Sequence, residues 1–419
     1  MKFYIEVYGC TANKSDANLL KGLISKHPGH KLISSVNKAD VIIILTCTVI
    51  DTTEQRMLHR IKELKQTDKK IIIAGCMASV QKQLLQEKFP NTLLLPPRKI
   101  HLLFDKLNEQ STTEDLSKKS FIQKQHTPPI APIAIAEGCL FNCSYCITHI
   151  ARGKLYSYPQ QAIISSVKNA VEQGCKEIQL TAQDTASYGL DKDTTLPVLL
   201  QKINSLQLSS NVMIRIGMMN PRTAKNILSD LKNIYSYDHF YSFLHLPFQS
   251  GDNNILKKMK RGYTVKDVTD IISTCRAAHP QLTIATDAIV GFPSETKEQF
   301  HKTITLLQQI KPDVVNITRF SARPFTNAKK MKERIPTEIV KQRSRVLTDI
   351  CQKLTKQRNK SYLGETMQVI TIKKSGQQST MARSTNYKPV IIQQSIPLGK
   401  TKMVEIIKAS STHLVGMLK

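Results

Sequence analysis

Cys139, Cys143 and Cys146 fall within the run EGCLFNCSYCITH and form a Cys-x3-Cys-x2-Cys triplet. A four-iron, four-sulfur cluster ordinarily takes four cysteine thiolates, so three leave one iron open to a small molecule. The alternative is a closed zinc site, which wants four nitrogen or sulfur ligands. His149 lies near enough in sequence to supply the fourth. The x3-x2 spacing is nonetheless unlike the paired Cys-x2-Cys arms of zinc ribbons, and it favours the open iron–sulfur site.

Cys10, Cys47 and Cys76 make a second set, each closing an apolar run: VYGC, ILTC and IAGC. If those runs are parallel strands of an open α/β sheet, the loops at their carboxyl ends meet around one crevice. Cysteines far apart in sequence would then converge on a second three-thiolate site. Buried cysteines acting as small hydrophobes are the competing reading, but all three fall at equivalent strand ends. Gly9 and Gly75 would let the backbone approach a bulky group closely, or simply serve turns. Cys175, Cys275 and Cys351 share no such pattern and read as core or surface thiols.

The elements that must hold these residues are legible in the hydrophobic pattern. KFYIEV, DVIIIL and KIIIAG are continuously apolar or β-branched, as buried parallel strands tend to be. Helix-periodic stretches separate them, which predicts a doubly wound parallel α/β domain over residues 1–107. The polar stretch 108–128 reads as a linker. Between 129 and 359, six strand-then-helix units predict a partial (β/α)6 barrel. These strands are IAIAEGC, KEIQLTAQD, MIRIGMMNP, FYSFLHLPFQSG, TIATDAIVGFP and VVNITRFSARP. Active-site residues are expected at their C-terminal ends, and the first triplet directly follows the first of them. A long basic helix comes next, and the short β-rich runs of 360–419 predict a small all-β barrel.

The 419 residues carry 60 Lys and Arg against 32 Asp and Glu, a formal charge of +28. Such a balance favours a polyanionic partner, with nucleic acid the default. The stretch 360–419 alone holds nine Lys and Arg against two Glu, and Lys373, Lys374, Arg383, Tyr387 and Lys388 are its expected RNA-facing residues. A solvated rim is the competing reading of each. No apolar run has membrane-spanning length. Nine cysteines in a long chain do not resemble a secreted disulfide framework, so a reducing cytoplasm is expected.

The two triplets, their order and the terminal β module together resemble the radical S-adenosylmethionine (SAM) methylthiotransferases. The motifs are YGCTANKSDANLL, EGCLFNCSYC, PFQSGDNNILKKMKRGYT, TDAIVGFPSETKEQF, NITRFSARPFTNAKKMKERIP and RSTNYKPVII. The last looks like the terminal TRAM domain. The form YGCTANKSD is most similar to the archaeal and eukaryotic branch acting on N6-threonylcarbamoyladenosine beside the tRNA anticodon. The resemblance implies two [4Fe-4S] clusters. One, on Cys139, Cys143 and Cys146, cleaves SAM to a 5′-deoxyadenosyl radical. The other, on Cys10, Cys47 and Cys76, carries the sulfur that replaces the hydrogen on carbon 2 of adenine. It also implies SAM contacts at strand ends, for which Gln183, Asp184, Arg215, Gln249, Ser250 and Asp287 are the candidates. Each has an ordinary structural alternative, such as an ion pair, a cap or a turn.

An electron donor, a sulfur source and the tRNA anticodon loop are the implied partners. Ala182 and Asp252 stand where many relatives have glycine and serine, and Phe325 and Asn327 where glycine and proline are usual. None of these departures touches a cluster thiolate. Two readings compete with the threonylcarbamoyl substrate. One is the same chemistry on isopentenyl-type adenosine or on a ribosomal protein. The other is a non-enzymatic iron–sulfur protein that binds RNA.

Overall fold

A computed structural model describes residues 1–110 and 113–419. Its N-terminal sheet is parallel throughout: β1 (Lys2–Val7), β2 (Lys31–Leu32), β3 (Val41–Thr46), β4 (Lys70–Gly75) and β5 (Leu93–Leu95). The order β2-β1-β3-β4-β5 reverses between β1 and β3. In open α/β sheets such a reversal opens a crevice at the carboxyl strand ends. Every residue of β3, VIIILT, is buried, because helices cover both faces. Helix α1 (Thr11–Lys26) packs Leu19, Leu20 and Ile24 on one face, and α2 (Asp51–Leu64) packs Met57 and Ile61 on the other.

The expected linker includes Ser111 and Thr112, which lie outside the described residues. Its remainder is more ordered than its polarity suggests. Asp115 caps a short helix, Leu116–Phe121, by accepting the N–H groups of Ser117 (3.0 Å) and Lys118 (3.3 Å). Lys119 on that helix is buried.

The central unit has six parallel strands: β6 (Ile130–Ala134), β9 (Glu177–Thr181), β10 (Met213–Ile216), β11 (Phe243–His245), β12 (Thr283–Val290) and β13 (Val314–Arg319). Two small strands, β7 (Ala136–Glu137) and β8 (Tyr156–Ser157), pair antiparallel beside them. Two three-stranded ladders meet through the Ile214–Phe240 bridge, which completes the predicted open (β/α)6 arc. Helices bury Ile178, Leu180, Ile214 and Leu244 from outside, leaving the alternate, more polar positions facing inward.

The C-terminal strands β14 (Thr366–Lys374), β15 (Thr380–Ser384), β16 (Pro389–Ile392), β17 (Thr401–Ala409) and β18 (Leu414–Leu418) close into the predicted small barrel. It seats under the N-terminal ends of the central strands. Ile370, Ile372 and Tyr387 pack there with Met213, Tyr241 and Phe243. Ser242 N–H donates to the Thr385 carbonyl (3.1 Å) across the same seam.

This seating corrects two of the expected RNA contacts. Lys388 is 2% exposed, and its ammonium lies 2.7 Å from Asp313 Oδ1. A charge read from sequence carries no information about burial, and this one is spent on holding the barrel. Tyr387 points into the central barrel, where its hydroxyl donates to Glu177 (3.2 Å) and its ring lies beneath Arg215 and Arg383. Arg383 is half-buried against that ring, while Lys373 and Lys374 are exposed on β14.

Asp313 is the anchor of this seam. Its side chain is fully buried and receives Lys388, Arg358 Nε (3.2 Å), Arg276 (3.2 Å) and the Ile284 N–H (2.9 Å). Burial pushes its carboxyl up, but Lys388 and Arg358 outweigh that and hold it below the usual carboxylate range. Burial pulls Lys388 toward neutrality, yet a carboxylate shared by three cationic donors stays ionised and keeps the pair charged. The stabilisation is therefore present above the unfolded carboxyl value of about 4 and is lost as pH falls through the lower folded value. Asp313→Asn should lower unfolding free energy by about 3–5 kcal/mol at neutral pH. Urea titrations should show the gap between variant and parent narrowing as pH drops below about 4.

Candidate active site

Cys10 lies just past β1, and Cys47 and Cys76 directly follow β3 and β4. Adjacent parallel strands therefore bring the three thiols together, and the thiols of Cys47 and Cys76 both feel the charge of Cys10. Gly9 (φ +95°) shows how tight the approach is, because a Cβ there would lie 2.9 Å from Cys47 Cβ. At Gly75 (φ +88°) an added Cβ would lie 2.6 Å from the Thr46 carbonyl oxygen. Glycine alone supplies both the left-handed backbone and the missing atom. Cys10 is the N-cap of α1, Cys76 opens α3 (Cys76–Val80), and Cys146 is the N-cap of the helix Ile147–Arg152. At Cys146 the N–H groups of Thr148 and His149 at the helix N-terminus partly offset the effect of burial on the thiol.

Cys139, Cys143 and Cys146 line a cavity of about 480 Å³ at the C-terminal ends of the central strands, and Cys10 lines the same cavity. Burial pushes the thiols of Cys76 and Cys139 up to about 12 and raises those of Cys47 and Cys146. Such thiols ionise only against a metal or a fixed cation. His149 lines the same cavity as Cys139, Cys143 and Cys146, and its Nδ1 is buried without a hydrogen-bond partner.

The expected SAM contacts divide. Gln183, Asp184, Arg215, Gln249 and Asp287 all line the cavity. Gln183 Oε1 and Arg215 Nε are buried without a hydrogen-bond partner in the protein, which suits groups held ready for a polar ligand. Asp184 is already engaged. It accepts N–H from Ala186 (3.2 Å) and Asn220 (2.9 Å) and the Thr223 hydroxyl (2.8 Å), and burial raises its carboxyl to about 6. Asp287 accepts from Asn316 (2.7 Å) and lies 3.1 Å from His245 Nε2. Gln249 adopts φ +71° and pairs its backbone across β12, exchanging bonds with Asp287 and Ile289. Ser250 corrects the expectation. It is 1% exposed and off the cavity, with its hydroxyl turned back to the Asp252 N–H (3.3 Å) inside the turn after β11.

Two arginines were not singled out from sequence. Arg261, within the motif KRGYT, is buried and donates to Cys143 Sγ (3.3 Å), Tyr263 Oη (2.9 Å) and the Pro247 carbonyl (3.2 Å). No carboxylate forms a salt bridge with it among the described residues, which leaves Cys143 Sγ as its one sulfur partner. Arg152 donates to Glu137 (2.6 Å), Asp16 (2.9 Å) and Asn13 Oδ1 (2.8 Å), and Lys119 bonds Asp16 (3.0 Å) and Glu137 (2.5 Å). Asn13 in turn donates to the carbonyls of Tyr8 (2.7 Å) and Thr46 (2.9 Å), which precede Cys10 and Cys47. Their distance in sequence hid this cluster; only docking of the two units assembles it.

Comparison with known proteins agrees with this arrangement. Residues 2–95 match the model of Uncharacterized protein family UPF0004, and residues 133–307 match the Radical SAM superfamily. A probable threonylcarbamoyladenosine tRNA methylthiotransferase of Archaeoglobus fulgidus is 38% identical over 100% of this chain and 99% of its own. The Homo sapiens threonylcarbamoyladenosine tRNA methylthiotransferase is 31% identical over 99% of this chain and 73% of its own. Among solved structures, the radical SAM methyltransferase TsrM of Kitasatospora setae shares the fold at TM-score 0.55 and 10% identity. That match covers 78% of this chain and 76% of TsrM. No helix among the described residues is long and apolar enough to cross a membrane. With full-length identity well above thirty per cent (38% to the archaeal relative) and both triads in place, the chain belongs to the threonylcarbamoyladenosine tRNA methylthiotransferase family of radical SAM proteins.

Proposed function

We propose that this protein inserts a methylthio group at carbon 2 of N6-threonylcarbamoyladenosine in the anticodon loop of tRNA. One observation carries the reading: Cys10 of one triad and all three cysteines of the other line a single cavity. A radical source and a sulfur source are useful together only if one substrate atom reaches both. Residues 1–107 serve as the sulfur-carrying domain, 129–359 as the radical SAM core and 360–419 as an RNA-binding TRAM module.

Cys139, Cys143 and Cys146 would hold one [4Fe-4S] cluster, and Cys10, Cys47 and Cys76 a second. When bound, the clusters and SAM supply one-electron chemistry and transferable sulfur that no side chain provides. The chain's own residues prepare the place. Arg261 places a fixed positive charge on Cys143, and Arg152 does so beside Cys76. Gln183 and Arg215 offer unpaired polar atoms to the amino acid end of SAM. The target base must leave its stack to enter, which costs less in a loop than in a duplex. Lys373, Lys374 and Arg383 would supply backbone affinity. An electron donor and a sulfur source are required from outside the chain.

Anaerobic reconstitution should give about eight irons per chain, falling to about four in Cys10→Ala. Cys10→Ala should keep reductive SAM cleavage and lose thiolation, whereas Cys143→Ala should lose both. Normal thiolation by Cys10→Ala would refute the sulfur-carrying role. In tRNA nucleosides from a strain lacking the protein, mass spectrometry should find 2-methylthio-N6-threonylcarbamoyladenosine missing. Loss of the isopentenyl analogue instead would assign the sibling substrate. RNA affinity should fall steeply with salt, and a flat dependence would remove the role given to the terminal barrel.

A further inference from the structure

Phe325 is costly to keep in the protein as it stands. Its ring is 70% exposed, the most of any large apolar side chain recorded among the described residues. Its backbone has φ +64°, in the left-handed region that bulky residues avoid. The reason is a tight turn. Pro324 and Phe325 occupy the two central places of a four-residue turn closed by Thr326 N–H to the Arg323 carbonyl (3.4 Å). The third place of such a turn, when φ is positive, suits glycine.

The turn is nevertheless held firmly. Arg323, Thr326 and Ala328 are each at most 4% exposed. Arg323 forms ion pairs with Asp51 and Glu54 at the start of α2, and Ala328 N–H donates to the Ser144 carbonyl (2.7 Å) between Cys143 and Tyr145. The ring is thus presented from a rigid base tied to both triad-bearing units. Its neighbour Arg323 lines the cavity, as do the half-exposed Val49 and Ile50. Exposed Lys329, Lys330, Lys332 and Arg334 follow it, with Glu333 the one acid among them.

Strain kept at a rim, an outward aromatic face and surrounding positive charge match one kind of ligand. Single-stranded nucleic acid is bound by aromatic platforms within basic grooves, because every base has a π-face and every nucleotide a negative charge. We infer that Phe325 is a stacking platform for an unpaired nucleobase flanking the one that enters the cavity. The inference rests on the RNA-directed reading above and adds a site to it. The ring holds the loop open at the rim while the exposed Lys329, Lys330 and Lys332 face its phosphates.

The test is fluorescence anisotropy of the full reconstituted chain with a labelled anticodon stem-loop RNA carrying N6-threonylcarbamoyladenosine. Phe325→Gly and Phe325→Ala should weaken binding roughly tenfold, and Phe325→Trp should keep it, as one lost stack requires. Phe325→Gly should melt no lower than the parent, because glycine relieves the positive φ; this separates lost stacking from misfolding. Parent-like affinity in Phe325→Gly would overturn the inference while leaving the proposed reaction intact. So would unchanged affinity with altered sedimentation, which would make the ring a contact between copies of the chain. A parent chain that binds no RNA would overturn both readings.

Discussion

The arrangement depends on a buried knot of charge between the N-terminal sheet and the central barrel. Asp16 comes from α1, Lys119 from the connecting helix, Glu137 from β7, and Arg152 from the helix that follows the loop bearing Cys139, Cys143 and Cys146. Two cations and two anions, none more than 3% exposed, would each be costly to bury alone. Together, with geometry that satisfies every carboxylate, they are tolerable. Their value is in specificity: the charges are neutralised only when all three pieces are docked in one register. Because Asn13 carries that register to the backbone before Cys10 and Cys47, the knot also sets where one triad lies relative to the other.

Around this knot the fold delivers chemistry through strand ends. The N-terminal sheet reverses its order between β1 and β3, and the loops leaving those strands bear Cys10 and Cys47. The central arc places Cys139 and its partners beyond β6 in the same manner. Two unrelated parallel sheets thus aim their carboxyl ends at a shared cavity. The third unit works from the opposite end, where Asp313 collects three cations and fixes the small barrel under the central strands.

Much of this was legible in the residues. The cysteine positions were readable because type and spacing are local, and the sheet because buried parallel strands are apolar throughout, as VIIILT is. What stayed hidden was long-range. Arg152 and Arg261 look like any other basic residues until tertiary structure places them beside sulfur. Lys388 was misread for the same reason in reverse, its charge consumed by Asp313. Ser250 follows a strand end as an active-site residue would, but the turn bends its hydroxyl away from the cavity. The linker looked loose because its polarity is matched by partners drawn from elsewhere in the chain.

Tyr387 makes the terminal barrel part of the central unit's own interior. Its side chain rises through the bottom of the central arc, and it touches Arg215, which lines the cavity above. The terminal barrel therefore forms a floor beneath the cavity-bearing arc. Reactive one-electron species survive only where stray hydrogen donors and bulk water are kept out, and the part of the chain that looks most detachable covers this end of the arc. Removing the terminal barrel would therefore uncover the underside of the central arc and strip Arg215 of one wall beneath the cavity.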